Sequence, residues 1–202
     1  MVKQKRKFGL IAGASGIGKG YGVGQVLEEY YGAKVFVTGD WCREHTSELA
    51  DKGTLTSDDL ILSAVQDHFH RHDEWHYFVD APRSSGQIDS LIRMFTEKDP
   101  DAEIYTLHLN GSRKLCEALL RDRALRKNRS DDAKPEVIRR RLDGWFSSGG
   151  ISDQIIPILK LRTQYKKIQG HVNIEIVRKH VHEKLCPDVF GGISSRQLVH
   201  IP

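Results

Sequence analysis

The chain has little cysteine and almost no methionine: three Cys and two Met in 202 residues. Cys42, Cys116 and Cys186 lie far apart, and no Cys-x-x-Cys pair occurs. That spacing indicates neither a disulfide framework nor a zinc site, and it fits a reducing cytoplasm. No apolar run approaches the roughly 20 residues that span a bilayer. The basic start, Met1-Val2-Lys3-Gln4-Lys5-Arg6-Lys7, runs straight into an apolar strand rather than the core of a secretion signal. Neither sign of charge dominates. Lys and Arg total 31 against 27 Asp and Glu, and a net charge of +4 argues neither for nucleic acid nor for a membrane surface. Internal repeats and low-complexity stretches are absent. No Ser/His/Asp or Cys/His arrangement calls for a covalent nucleophile.

What remains is a globular balance of 39% hydrophobic and 29% charged residues, enough for one α/β domain and too short for two comfortable ones. One stretch organises it. Gly13-Ala14-Ser15-Gly16-Ile17-Gly18-Lys19-Gly20 reads G-x-x-G-x-G-K-G, follows the apolar run Phe8–Ala12 and opens a helical stretch to about Tyr31. Strand, glycine loop and helix in that order form a phosphate site. Glycines let backbone N–H groups turn inward around an anion, and the helix points its positive end at the same place. Lys19 adds a full charge that reaches the outer phosphates. Gly20 and Tyr21 stand where a hydroxyl often holds Mg²⁺, so the metal is expected to rest mostly on phosphate oxygens and water.

Strands are expected at Phe8–Ala12, Lys34–Val37, Trp75–Val79, Glu103–Leu109 and Val172–Ile174. Between them the periodicity predicts helices beginning at Asp40, Thr56, Ser84, Ser112, Pro135, Ile151 and Glu175. The helix from Ile151 is expected to reach Gln169, and the closing helix to end at Leu185, leaving an aperiodic tail from Cys186. His68, His70, His72 and His76 cluster near a helix end, where solvated side chains are expected rather than a metal site. Alternating strands and helices imply a parallel sheet with helices on both faces, and ligands then sit at the carboxyl ends of the strands. Thr38, Arg43, Asp80 and Arg83 all follow strand ends. Asp80 is placed to orient water on Mg²⁺.

Residues 113–141 hold eight Arg and three Lys against five acids. A nucleic-acid patch and a charge-neutralising lid are both compatible with that count. At about 100° per residue, Arg141 borders the stripe Ile138, Leu142 and Trp145, and Arg123 lies on the side of Leu115, Cys116 and Leu119. Arg121, Arg139 and Arg140 point away. Arg123, Arg129 and Arg141 are therefore expected to converge on a cleft. Phosphoryl transfer needs mainly positioning and cations around the moving group, which such a ring supplies.

From Phe8 to Leu185 the chain resembles the adenylate kinase family of P-loop nucleoside monophosphate kinases. The likeness rests on the loop Gly13 to Gly20, on Thr38-Gly39-Asp40-Trp41-Cys42-Arg43 and on Lys52-Gly53-Thr54-Leu55-Thr56. It rests also on Asp80-Ala81-Pro82-Arg83 with Gln87, on Arg129-Ser130-Asp131-Asp132, and on Arg141-Leu142. The resemblance implies a P-loop three-layer sandwich with a five-stranded parallel sheet. It implies a kinase domain over 1–185, with an acceptor-binding segment at 38–74 and a short lid at 124–134, followed by a tail at 186–202. The implied reaction moves the γ-phosphoryl of ATP, with Mg²⁺, to a nucleoside monophosphate. By position Arg43, Arg83 and Thr38 would hold the acceptor, and Gln87 would read its base, favouring AMP or dAMP. Lys19, Arg123, Arg129 and Arg141 would surround the transferred group, Asp80 would serve the metal's water shell, and Gly13 to Tyr21 would hold ATP. A monomer acting on small molecules is expected.

The chain also departs from that pattern. Tyr21 replaces a threonine, Asp80-Ala81-Pro82 is one residue short, and only eight residues separate Arg43 from Lys52. Leu119 stands where the family commonly has an arginine. A P-loop kinase for another small acceptor, a nucleotide-binding regulator without catalysis, and an RNA-associated NTPase are the competing expectations.

Overall fold

The computed structural model describes residues 5–46, 56–80, 82–127 and 134–190. Five parallel strands form one sheet in the order β2-β3-β1-β4-β5. They are β1 (Lys7–Ala12), β2 (Lys34–Val37), β3 (His76–Asp80), β4 (Glu103–Asn110) and β5 (Gln164–Gln169). β1 lies in the middle, with Leu10 opposite Val79 on one side and Thr106 on the other. The expected α/β architecture is what folds.

Nine α-helices flank the sheet among the described residues: α1 (Gln25–Tyr31), α2 (Thr38–His45), α3 (Asp58–Arg71), α4 (Ser85–Lys98), α5 (Arg113–Lys127), α6 (Pro135–Phe146), α7 (Ile151–Arg162), α8 (Ile174–His180) and α9 (Cys186–Phe190). Their starts follow local chemistry. Ser57 Oγ accepts the Leu60 N–H, Ser84 Oγ the Gln87 N–H, Ser112 Oγ the Leu115 N–H and Asn173 Oδ1 the Glu175 N–H. Pro135 occupies the first turn of α6, where a missing N–H costs nothing.

The core divides between the two faces. On one, Phe8 packs against Phe69 of α3 and Phe95 of α4, with Tyr77 edge-on to Phe69. On the other, Phe190 stacks on Tyr31 at 4.6 Å between centroids and meets Phe78. Burial of these rings is the main stabilising force and sets which face each helix covers.

Several expectations are corrected. The fifth strand is Gln164–Gln169, not Val172–Ile174, and α7 stops at Arg162. Thr163 ends that helix, its hydroxyl donating to Leu159 O at 2.7 Å. β5 is an edge strand on which only Ile168 is buried, so it carries no apolar alternation. Val172 is exposed, and Asn173 caps α8. The final helical run does not stop at Leu185. A π-type turn, Val181–Leu185, leads into α9, where Cys186, Val189 and Phe190 are buried. The third strand starts at His76, and Trp75 lies beside Arg6 as a cation–π partner.

The histidines are not simply solvated. His76 is buried and its Nδ1 accepts the Lys7 N–H at 3.1 Å. His68 Nδ1 lies 2.8 Å from the Tyr77 hydroxyl. Among the described residues no cluster of three metal-capable side chains occurs, and no helix is long and apolar enough to cross a membrane.

Candidate functional site

The glycine loop joins the carboxyl end of β1 to a π-type turn, Lys19–Gly24, that continues into α1. The expected helix is there, but its first turn is widened. Gly13, Gly16 and Gly18 all have positive φ. At Gly18, with φ 97°, a Cβ would also lie 2.4 Å from Ile174 Cδ1. Ile17 is fully buried and anchors the loop from behind. Its Cδ1 fills the space beside Gly111 and Gly170, the residues just past β4 and β5, where a Cβ would come within 2.5 Å. Three strand ends thus share one wedge.

Lys19 folds back over the loop. Its Nζ donates to Ala14 O at 3.1 Å and lies 3.8 Å from Asp80 Oδ1 at the end of β3. Asp80 is buried, and its Oδ1 has no hydrogen-bond partner. Burial lowers the Lys19 ammonium from its ordinary value and raises the Asp80 carboxyl, while the attraction between the two opposes both shifts. A buried carboxylate oxygen that lacks a hydrogen-bond partner beside a lysine is a costly arrangement that calls for an explanation, such as a ligand.

Arg83 and Arg123 both act electrostatically on Lys19 and on Asp80, and Arg141 acts on Arg83. Lys19, Arg83 and Arg123 therefore lie within electrostatic reach of Asp80, and Arg141 lies within reach of Arg83. Arg121, Arg139 and Arg140 are exposed, in keeping with their helical phase. Arg43 sits in the last turn of α2 and is ion-paired with Asp40 of the same helix. Thr38 is buried, and its hydroxyl donates to Asp80 O at 2.6 Å, tying the ends of β2 and β3 together. Gln87 is buried with its carboxamide bonded at both ends to protein: Oε1 accepts the Arg83 N–H at 2.7 Å, and Nε2 donates to Asp58 Oδ1 at 2.9 Å. Leu119 is partly buried and packs against the core. Arg129, Asp131, Asp132 and the turn Lys52 to Leu55 lie outside the described residues.

Sequence reasoning missed a clamp on the loop's far side. The Tyr21 hydroxyl donates to Glu175 Oε1 at 3.0 Å, and the Arg178 guanidinium lies 4.6 Å from the Tyr21 ring centroid. Arg178 also donates to Tyr21 O at 2.8 Å and to Glu29 at 2.5 Å. The partners are more than 140 residues apart, and no local pattern announces them.

No family model matches the chain. It is 24% identical over 187 residues to an adenylate kinase of Synechococcus sp. (strain JA-2-3B'a(2-13)), covering 87% of this chain and 94% of that protein. An adenylate kinase of Prochlorococcus marinus (strain NATL2A) is 26% identical over 191 residues, covering 90% and 99%. Among solved structures, a gluconokinase from Sinorhizobium meliloti 1021 superposes with a TM-score of 0.62 at 14% identity, covering 93% of this chain and 95% of that one. The chain thus has the α/β fold of that gluconokinase and a distant, nearly full-length likeness to adenylate kinases.

Proposed function

We propose that this protein is a nucleoside monophosphate kinase, moving the γ-phosphoryl of ATP to a nucleoside monophosphate and yielding two diphosphates. The observation that carries this reading is Lys19, Arg83 and Arg123 within electrostatic reach of Asp80 at the end of the glycine loop, with Arg141 acting on Arg83. Adenylate kinases among the relatives make AMP the first acceptor to assay, with dAMP beside it.

In this scheme the loop from Gly13 to Tyr21 cradles the donor phosphates through backbone N–H groups. Lys19 exchanges its contact with Ala14 O for the outer phosphates, where its charge follows the moving group. Arg83, with Arg43, holds the acceptor phosphate in line, as a fork of parallel N–H groups suits that anion. Arg123 and Arg141, together with Arg129, stabilise the charge that spreads over the transferring oxygens. Mg²⁺ suits the site, because the orphaned Asp80 Oδ1 is a hard oxygen able to hold one of the metal's waters. When bound, the ion would neutralise donor phosphate charge. Excluding water over the cleft would keep ATP from being wasted by hydrolysis.

The test is a coupled assay of ATP against a panel of monophosphates. Diphosphate formation that requires a monophosphate supports the reading, and ATP consumption indifferent to every monophosphate overturns it. The gluconokinase fold favours a second reading, a kinase for another small acceptor. Gluconate in the same panel tests it.

A further inference from the structure

The acceptor side of the site contains a network that the scheme above leaves idle. Asp58 is the first residue of α3, and Ser84 caps α4. Asp58 Oδ2 accepts the Ser84 hydroxyl, and Asp58 Oδ1 accepts Gln87 Nε2 at 2.9 Å. Gln87 Oε1 in turn accepts the Arg83 backbone N–H at 2.7 Å, and Ser84 Oγ accepts the Gln87 backbone N–H at 3.1 Å. Two helix starts are thereby bolted face to face around the residue that precedes the second one.

A carboxamide that reads a base must offer its oxygen and amide to the cleft. The Gln87 carboxamide is instead spent on protein at both ends, and the residue is only 2% exposed. Breaking those bonds to greet a ligand would leave the Arg83 N–H and an Asp58 oxygen, both partly buried, without these partners, which costs free energy. The direction of the chain of contacts is informative. Asp58 orients the amide, the amide oxygen fixes the Arg83 backbone, and the Arg83 guanidinium lies within electrostatic reach of Cys42, Asp80, Arg141 and Asp58 itself.

We infer that Gln87 and Asp58 are positioning residues that fix Arg83 for the acceptor phosphate, and that Gln87 takes no part in choosing the base. This rests on the reading of Arg83 as a phosphate ligand. It predicts a signature that base reading would not give. Disturbing the network weakens all nucleoside monophosphates by one common factor.

The experiment compares wild type with Gln87→Leu, Gln87→Glu, Asp58→Asn and the double variant Gln87→Glu/Asp58→Asn. Steady-state kinetics are run with AMP and with CMP at saturating ATP, alongside thermal melts. Gln87→Leu is expected to raise the acceptor KM about tenfold or more for both nucleotides, leaving the AMP-to-CMP ratio of kcat/KM unchanged. Gln87→Glu sets a second carboxylate against Asp58 and is expected to do at least as much harm. Adding Asp58→Asn restores a donor facing that carboxylate, so the double variant should recover most of the lost acceptor affinity. A loss confined to AMP overturns the inference, as does a double variant no better than Gln87→Glu alone. If wild type turns over neither acceptor, the kinase reading fails separately. The inference is then decided by calorimetric affinity for inorganic phosphate: weakened by Gln87→Glu and recovered in the double variant supports it, and equal affinity in all variants overturns it.

Discussion

Lys19 Nζ stands 3.8 Å from Asp80 Oδ1, too far for a hydrogen bond and close enough for strong attraction in a buried site. Neither group is fully satisfied by the other. Each is therefore available to a polyanion and its cation, which would replace the partial pairing with complete coordination.

From this pairing follows the first expectation. Lys19→Met keeps the length of the stem and removes the charge, so transfer should fall by about 10²–10³-fold. Loss of its nearest cation would push the Asp80 carboxyl further up, while Arg83 and Arg123 still oppose that shift. The fold should persist, as judged by circular dichroism. An unchanged rate would misplace the site.

Arg83→Ala should raise the acceptor KM strongly while the KM for ATP moves little. In the proposed scheme the guanidinium holds the acceptor phosphate, so its loss would remove a charge-assisted bidentate contact of about 1.5–3 kcal/mol. Initial-rate kinetics with each substrate varied in turn separates the two constants. An equal effect on both would put Arg83 on the donor instead.

Gly18→Ala should damage folding and nucleotide binding together. The backbone is in the left-handed region, and the added methyl meets Ile174 Cδ1. Strain of about 1–2 kcal/mol from the first and about 1–3 from the second are expected. Pairing it with Ile174→Ala should relieve only the second part. Thermal melts of Gly18→Ala, Ile174→Ala and the double variant measure this directly.

Stability should fall on mild acidification. Burial pushes the His76 and His108 imidazoles down to about 4, below the ordinary 6.5. A folded state that keeps them neutral is favoured in full above 6.5, and that advantage is lost as pH drops from 6.5 toward 4. Relative to neutral pH, each would cost on the order of 3 kcal/mol of stability by the time pH is below about 4. His76→Asn retains an acceptor for the Lys7 N–H but cannot titrate. Its melting temperature should depend less steeply on pH over that window.

The parts of this fold written in local chemistry were readable. The glycine loop, the serine caps of α3, α4 and α5, and the buried strands β1 to β4 all announce themselves in a few neighbouring residues. The helical phase of Arg123 and Arg141 against Arg121, Arg139 and Arg140 was legible for the same reason, since 3.6 residues per turn is a local rule. β5 was not, because an edge strand on which only Ile168 is buried carries no apolar alternation to read. The Tyr21–Arg178 stack and the Asp58–Gln87 bond were also hidden. Both join elements that become neighbours only once the sheet is assembled. Gln87 was visible as a motif residue, but which way its carboxamide faces is a property of α3 as much as of α4.

Ile17 gives the phosphate loop a property that its own sequence does not reveal. Because one methyl sits beside both Gly111 and Gly170, bulk added at either distant position would press on the loop from the rear. Inactivating changes are therefore to be sought at these two remote glycines, which a survey of the cleft alone would pass over.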